Sequence, residues 1–219
     1  MFFSLSPKEL TYISISLAII VVLATLAMIL FPKYINKWDK ELAFEGKEQP
    51  WLLYLALFLN YAITPLTVSI FYLIMVAIFL WQKEYRIIWI GVSSIIMVSI
   101  LFWSLKRITQ RPRPKDAKIK FKDYSFPSWH TWAGFVFFLS FALASVWLLD
   151  IHYYERVFVL ALIGWAIIAW SRWYIHVHWL SDVIIGSFLG IWCFIFSYLL
   201  FFYFGDALFN AFEQVFFSL

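Results

Sequence analysis

VFVLALIGWAIIAWSRWYIHVHWLSDVIIGSFLGIWCFIFSYLLFFYF, residues 157–204, decides how the rest of the chain is read. Val157 to Tyr174 and Val183 to Phe204 are apolar runs, each long enough to cross the roughly 30 Å hydrocarbon core of a bilayer as a helix. Between them stands the polar stretch Arg172-Trp-Tyr-Ile-His-Val-His-Trp-Leu-Ser-Asp182. Arginine, histidine and aspartate at the edge of hydrocarbon are costly and need a reason to be there. His178 and Asp182 are four residues apart, a spacing that puts them on one face if the stretch is helical. A carboxylate beside an imidazole fixes its tautomer and raises its basicity, as a nucleophilic or basic histidine requires. The planar fork of Arg172 suits a phosphate or carboxylate. Two readings stand at this point: a reactive His–Asp pair, or an interfacial pair that only anchors a helix end.

The flanking composition widens the membrane reading to the whole chain. Of 219 residues 64% are hydrophobic and 14% charged, and mean hydropathy is +0.83. A soluble domain of this length cannot bury that much apolar surface, so an integral multi-pass protein is expected. Thirteen Trp, 12 Tyr and 25 Phe supply interfacial belts. Cys193 is the single cysteine, so no intrachain disulfide is possible. A net charge of +4 is too small and too localised to suggest a nucleic-acid partner and better fits anionic lipid or a phosphate-bearing substrate.

Upstream, Ser6-Pro7 reads as a helix start, and Leu10 to Phe31 is an uncharged first span, retained because no small-residue cleavage site follows it. Pro32 to Pro50 is polar with interspersed Tyr34, Trp38, Leu42 and Phe44, either an amphipathic interfacial segment or a solvated loop. Gln49 to Gln82 is uncharged but broken by Asn60 and Pro65, so an interfacial or kinked start should lead into a second span ending near Trp81. Ile87 to Leu105 is the third span, and Trp129 to Leu149 the fourth, closed by a turn at Asp150 to Arg156. Val157 to Tyr174 and Val183 to Phe204 are the fifth and sixth, and the aromatic tail to Leu219 reads as interfacial. The fold class is all-α, a polytopic bundle of six transmembrane helices in one domain, residues 1–219.

With six spans, loops one, three and five share a membrane face. The 106–128 and 172–182 regions therefore meet. The 106–128 region carries eight basic residues, among them Lys106 at a span end and Arg113-Pro114 seven residues on. It closes with Pro127-Ser128-Trp129-His130, where Ser128 is placed to cap a helix whose free N–H groups form an anion site, with His130 in its first turn. Plain capping and interfacial snorkelling are the bland readings of Ser128 and of the lone basic residues.

Together these residues resemble the type 2 phosphatidic acid phosphatase superfamily of membrane lipid phosphatases. Its three motifs match as Lys-x6-Arg-Pro at Lys106 to Pro114, Pro-Ser-x-His at Pro127 to His130, and Ser-Arg-x5-His-x3-Asp at Ser171 to Asp182. Arg111-Pro112 is a competing Arg-Pro pair, but Ser104 stands seven residues before it, so Arg113 is the match. The family usually has glycine where Trp129 stands, so the pocket shape is expected to differ. The resemblance implies that His178 attacks phosphorus, Asp182 holds its other ring nitrogen, and His130 protonates the leaving oxygen. Lys106, Arg113, Ser128, the Trp129 amide and Arg172 would cradle phosphoryl oxygens. No carboxylate cluster is available for magnesium, so chemistry without metal or cofactor is expected. His176 reads as structural and His152 as solvated on the opposite face.

The expected activity is hydrolysis of a lipid phosphomonoester or pyrophosphate: phosphatidic acid, phosphatidylglycerophosphate, undecaprenyl pyrophosphate or a lipid A phosphate. Transfer of the phosphoryl group to a second lipid, or an inactive lipid-binding scaffold marked by Trp129, are the alternatives. Lys118, Lys120 and Lys122 alternate with Ile119 and Phe121, so in extended backbone the lysines share one side. They either bind anionic head groups, with Ile119 and Phe121 dipping into lipid, or form a solvated charge run. The catalytic face holds 13 of the 17 Lys and Arg residues, which by the positive-inside rule points to the cytoplasm. The resemblance implies the outer side of a bacterial inner membrane, and the expectation follows the resemblance.

Overall fold

Residues 5–46, 49–149 and 152–217 are described by a computed structural model, with the side chains of 206 and 208–217 left aside. Lys47, Glu48, Asp150, Ile151, Ser218 and Leu219, which fall in the first loop, the 150–156 turn and the tail, lie outside the described residues. Among those described, eight helices and no strands form: α1 (Pro7–Leu30), α2 (Pro32–Glu41), α3 (Pro50–Ala62), α4 (Pro65–Trp81), α5 (Tyr85–Thr109), α6 (Trp129–Leu148), α7 (Tyr154–Tyr174) and α8 (Leu180–Phe217).

Five of these are long and apolar enough to cross a membrane, and the pair α3–α4, bent by 55°, makes the sixth span. The bend follows from the chain: Asn60 closes α3, and Pro65 starts α4 behind Thr64, whose hydroxyl accepts from the Thr67 N–H at 3.2 Å. α1 begins as expected, with Ser6 N–H donating to Glu9 Oε2 (2.7 Å) and Glu9 N–H to Ser6 Oγ (3.3 Å), a complete capping box. The polar segment after α1 is a helix, α2, which exposes Tyr34 and Trp38 and buries a single residue, Asp39. Of the two readings of this stretch, the helical one forms rather than an irregular loop. The tail is also more helical than expected, since α8 runs on past the span to Phe217.

α6 is the centre of the bundle, lying against α5, α7 and α8. Its buried Trp132 and Val136 join Phe102 of α5 and Leu189 and Cys193 of α8 in one apolar core. Side chains on the outer faces of α1 and α4, such as Leu23 and Leu73, remain exposed; in a bilayer those surfaces meet acyl chains. Tyr72 Oη and Ser140 Oγ, 3.0 Å apart and buried, tie α4 to α6 where lipid offers no polar partner.

The approach of α8 to α6 depends on glycine. A Cβ at Gly186 would stand 3.1 Å from the Ser128 carbonyl oxygen, and one at Gly190 3.1 Å from that of Trp132. Asp182, Gly186 and Gly190 recur every fourth residue, so one helix stripe carries both the close packing and the carboxylate. Gly186→Val is expected to force α8 away from the start of α6 and to lower stability by about 1–3 kcal/mol. A thermal melt in detergent measures this.

Candidate active site

The ends of α1, α5 and α7 and the starts of α3, α6 and α8 gather at one end of the bundle, as loop parity predicts. The connections are direct. Arg113 donates to the Val177 carbonyl (2.7 Å), the Gln49 N–H donates to Tyr174 Oη (3.1 Å), and Arg111 reaches Asp182 (2.5 Å). A cavity of about 400 Å³ opens here, bordered by Lys106, Arg113, Trp129, His130, Arg172 and His178. Six of the eight residues singled out from the sequence therefore face one space. Its other wall is apolar and comes from α4 and α5: Pro65, Val68, Ile95, Phe102 and Trp103.

The segment carrying His178 is not helical. α7 ends at Tyr174, His176 takes a left-handed backbone (φ 55°), and α8 begins only at Leu180. Histidine tolerates this conformation better than most side chains, and its ring is fixed from both sides. Nδ1 meets the Asp116 carboxylate, and Nε2 lies 3.1 Å from the Phe44 carbonyl oxygen. Both ring nitrogens of His176 are thus engaged by protein, in keeping with its structural reading. His178 and Asp182 meet for a different reason than a shared helix face. Asp182 stands at the third position of α8 and accepts the Trp179 N–H at 3.0 Å, the acidic half of a capping box. This turns its Oδ2 toward His178 Nδ1, 3.6 Å away. That is an ion-pair separation longer than a hydrogen bond, and Nδ1 has no hydrogen-bond partner among the described residues. The other nitrogen, Nε2, lies 3.3 Å from Nη1 of Arg113, which also borders the cavity.

Arg172 is fully buried, and its bonds go to neutral acceptors: Asn60 Oδ1 (2.6 Å), the Ala56 carbonyl (3.2 Å) and Ser171 Oγ (3.0 Å). A guanidinium taken out of water with only neutral partners is poised for an anion. The broken span matters here, because Ala56 and Asn60 of α3 are what hold Arg172.

The cap expected of the Ser128 hydroxyl does not form. Ser128 is the residue before α6, but its hydroxyl makes no capping bond and is fully buried, accepting from Thr131 Oγ1 at 2.9 Å. Gly186 brings α8 so close that Ser128 is sealed beneath the site rather than lining it. Trp129 borders the cavity, its ring edge-on to His130 with centroids 5.3 Å apart, so a large side chain stands where glycine was expected. Ile119 packs against the cluster of Ala56, Tyr174, Ile175 and Val177, and Phe121 borders the cavity beneath the Arg113 guanidinium. Ile119 thus faces protein, whereas Phe121 stays 38% exposed on the same side of the site as the exposed Lys118, Lys120 and Lys122.

Two residues were missed. Asp123 bridges the cations: Arg113 Nη2 donates to its Oδ1 at 2.7 Å, and Lys106 Nζ donates to its Oδ2. Burial alone would raise the Asp123 pKa, but the Lys106 bond and the Arg113 charge outweigh it and hold the group below the usual carboxylate range. An internal anion thus sits against two cations of the cavity. Asp123→Asn is expected to lower KM for a phosphate substrate about threefold, the scale of a partly exposed ion pair. Inorganic phosphate inhibition, measured alongside, should tighten equally. The second missed residue is Arg111, the member of the Arg-Pro pair set aside on spacing, which lies 5% exposed behind Asp182.

The His178 imidazole is pushed down from 6.5 to about 4, first by burial and then by Arg113 and Lys106, with Asp182 opposing. Unfolded, this ring takes up a proton below 6.5; folded, it stays neutral until about 4. The unfolded state then binds more protons, so stability must fall as pH drops through that window. The melting temperature of the parent is expected to decline across it more steeply than that of His178→Gln.

The family profile described as "PAP2 superfamily" matches residues 85–206. The fold resembles the crystal structure of the first transmembrane PAP2 type phosphatidylglycerolphosphate phosphatase from Bacillus subtilis, with a TM-score of 0.68 and 21% identity over 85% of this chain and 94% of that one. Comparison with curated proteins gives no match.

Proposed function

The chain belongs to the PAP2 superfamily, and from that premise we propose that it is a membrane phosphatase that removes phosphate from a lipid through a covalent His178 intermediate. The observation that carries this reading is the setting of His178. Nε2 lies beside Arg113, while Nδ1 is turned back toward Asp182. In the first step Nε2 bonds to phosphorus as the P–O bond to the lipid breaks, and His130 gives its proton to the departing oxygen. In the second, His130 takes a proton from water as the water oxygen attacks the same phosphorus, the P–N bond breaks, and phosphate leaves with both His178 and His130 restored. Lys106, Arg113 and Arg172 neutralise the phosphoryl oxygens, and positioning plus charge is most of what this chemistry asks of a protein. The Trp129 amide joins them, while Ser128 acts from beneath through packing.

The apolar wall of α4 and α5 supports a lipid rather than a soluble ester, because acyl or prenyl chains would lie along it while the phosphate meets the cations. Phosphatidylglycerophosphate is the first substrate to try, given the resemblance to the Bacillus subtilis enzyme's fold. Phosphatidic acid, undecaprenyl pyrophosphate and a lipid A phosphate follow. Function is expected without metal or cofactor, in a bacterial inner membrane with the site facing outward.

The test is phosphate release from this panel in detergent with EDTA present, and a rapid base quench to trap phosphoenzyme. Release from at least one lipid, with a base-stable, acid-labile phosphoenzyme, is the expected result. No release from any of them overturns the reading.

A further inference from the structure

Arg111 carries a connection that reaches well beyond the cavity. Its Nη1 donates to Asp182 Oδ1 (2.5 Å) and Ser181 Oγ (2.7 Å), and its Nη2 donates to the Asp39 carboxylate and to Asn36 Oδ1 (3.2 Å). Asp39 in turn accepts the Ser181 N–H (3.0 Å) and hydroxyl (2.6 Å). Both carboxylates are completely buried, and the Arg111 side chain is 6% exposed. The Trp179 ring covers the guanidinium, 5.7 Å from its carbon.

We propose that Asp39 and Arg111 are positioning residues for the nucleophile, acting through Asp182, so that the interfacial helix α2 forms part of the active-site support. The inference rests on the reading of His178 as nucleophile. Three observations favour it over a purely structural knot. Asp182 has two oxygens and spends both on orientation, Oδ1 on Arg111 and Oδ2 on the Trp179 N–H facing His178, so the Arg111 bond fixes which edge the imidazole meets. Two carboxylates share one guanidinium, which leaves an excess negative charge behind Nδ1. When Nε2 bonds to phosphorus the ring keeps its Nδ1 proton and becomes cationic, and that excess offsets the new charge. Finally, α2 exposes Tyr34 and Trp38 and buries only Asp39, so its one inward side chain serves this connection. Asp39 also lies outside the residues matched by the family profile.

The test compares Asp39→Asn, Arg111→Lys, the double variant and His178→Ala, all purified in detergent and checked for a monodisperse peak. Arg111→Lys keeps the charge but cannot hold two carboxylates in a fork. Displacing the Asp182 edge is expected to lower kcat about 100-fold in Arg111→Lys and about tenfold in Asp39→Asn, with KM unchanged. The double variant should be no slower than Arg111→Lys alone, because Asp39 acts through Arg111. Parent-like kcat in Asp39→Asn, or multiplying losses in the double variant, overturns the inference. If Arg111→Lys does not fold, the kcat of Asp39→Asn alone decides. His178→Ala separates the two claims: if it keeps phosphate release, the nucleophile reading fails. If it is inactive while the other variants match the parent, only the positioning role fails.

Discussion

His178→Ala is expected to abolish phosphate release, with a loss of at least about 10⁴-fold in kcat, the scale seen when a covalent nucleophile is removed. The substitution deletes the atom that bonds to phosphorus, and the other imidazole bordering the cavity, His130, is committed to the leaving oxygen. Asp123 is acidic but tied to Lys106 and Arg113, and His176 is held by Asp116 and the Phe44 carbonyl. Substrate affinity should change little, because the cations that meet the phosphate remain. The ring is also the buried group that refuses a proton near neutrality, so its removal should raise stability at mildly acidic pH while activity disappears. A base quench should then trap no phosphoenzyme.

Arg172→Gln is expected to lower kcat/KM by about 10³-fold, combining the loss of a preorganised charge with the loss of a fork. Among the described residues the buried guanidinium is bonded to neutral groups of α3 and α7, and a phosphoryl group would supply an anion. Arg172→Lys should recover charge but not geometry, and fall between the two. The melting temperature of both variants should also drop, because Arg172 links α7 to Ala56 and Asn60. A variant that melts early but retains parent kcat/KM would rule out a role in phosphate binding.

Much of this architecture is legible in the chain. Uncharged runs mark the spans because hydrocarbon tolerates little else, and Pro65 marks the break. Span parity alone brings Lys106, Arg113, His130, Arg172 and His178 to one end. What local pattern does not reveal is partner choice across long separations. Arg111 bonds to residues 71 and 72 positions away, and nothing in Arg-Pro-Arg-Pro distinguishes the arginine that meets substrate from the one that meets carboxylates. Asp39 looked like one charge among many in a polar segment. The three-dimensional approach of Ser181, 142 residues on, is what buries it. Ser128 had the right sequence for a cap, but its environment is set by Gly186 on another helix. The four-residue spacing of His178 and Asp182 matches a helix, but 175–179 is a loop and the pair meets through the start of α8 instead.

The break at Thr64–Pro65 has a consequence for the bilayer itself. α4 has 17 residues and so rises only about 25 Å, short of the roughly 30 Å of a bilayer's hydrocarbon, so α3, bent 55° from it, has to complete the span. Because α3 leans away by that angle, the pair's apolar height along the bilayer normal is less than its length, and lipid that thins to match it does so at a cost of a fraction of a kcal/mol per ångström of mismatch. α4 also supplies Pro65 and Val68 to the apolar wall of the cavity. Thinning at this helix would bring head groups toward the opening before any contact with the protein's cations. A thicker membrane would resist this thinning, and turnover in reconstituted vesicles should fall as acyl chains lengthen.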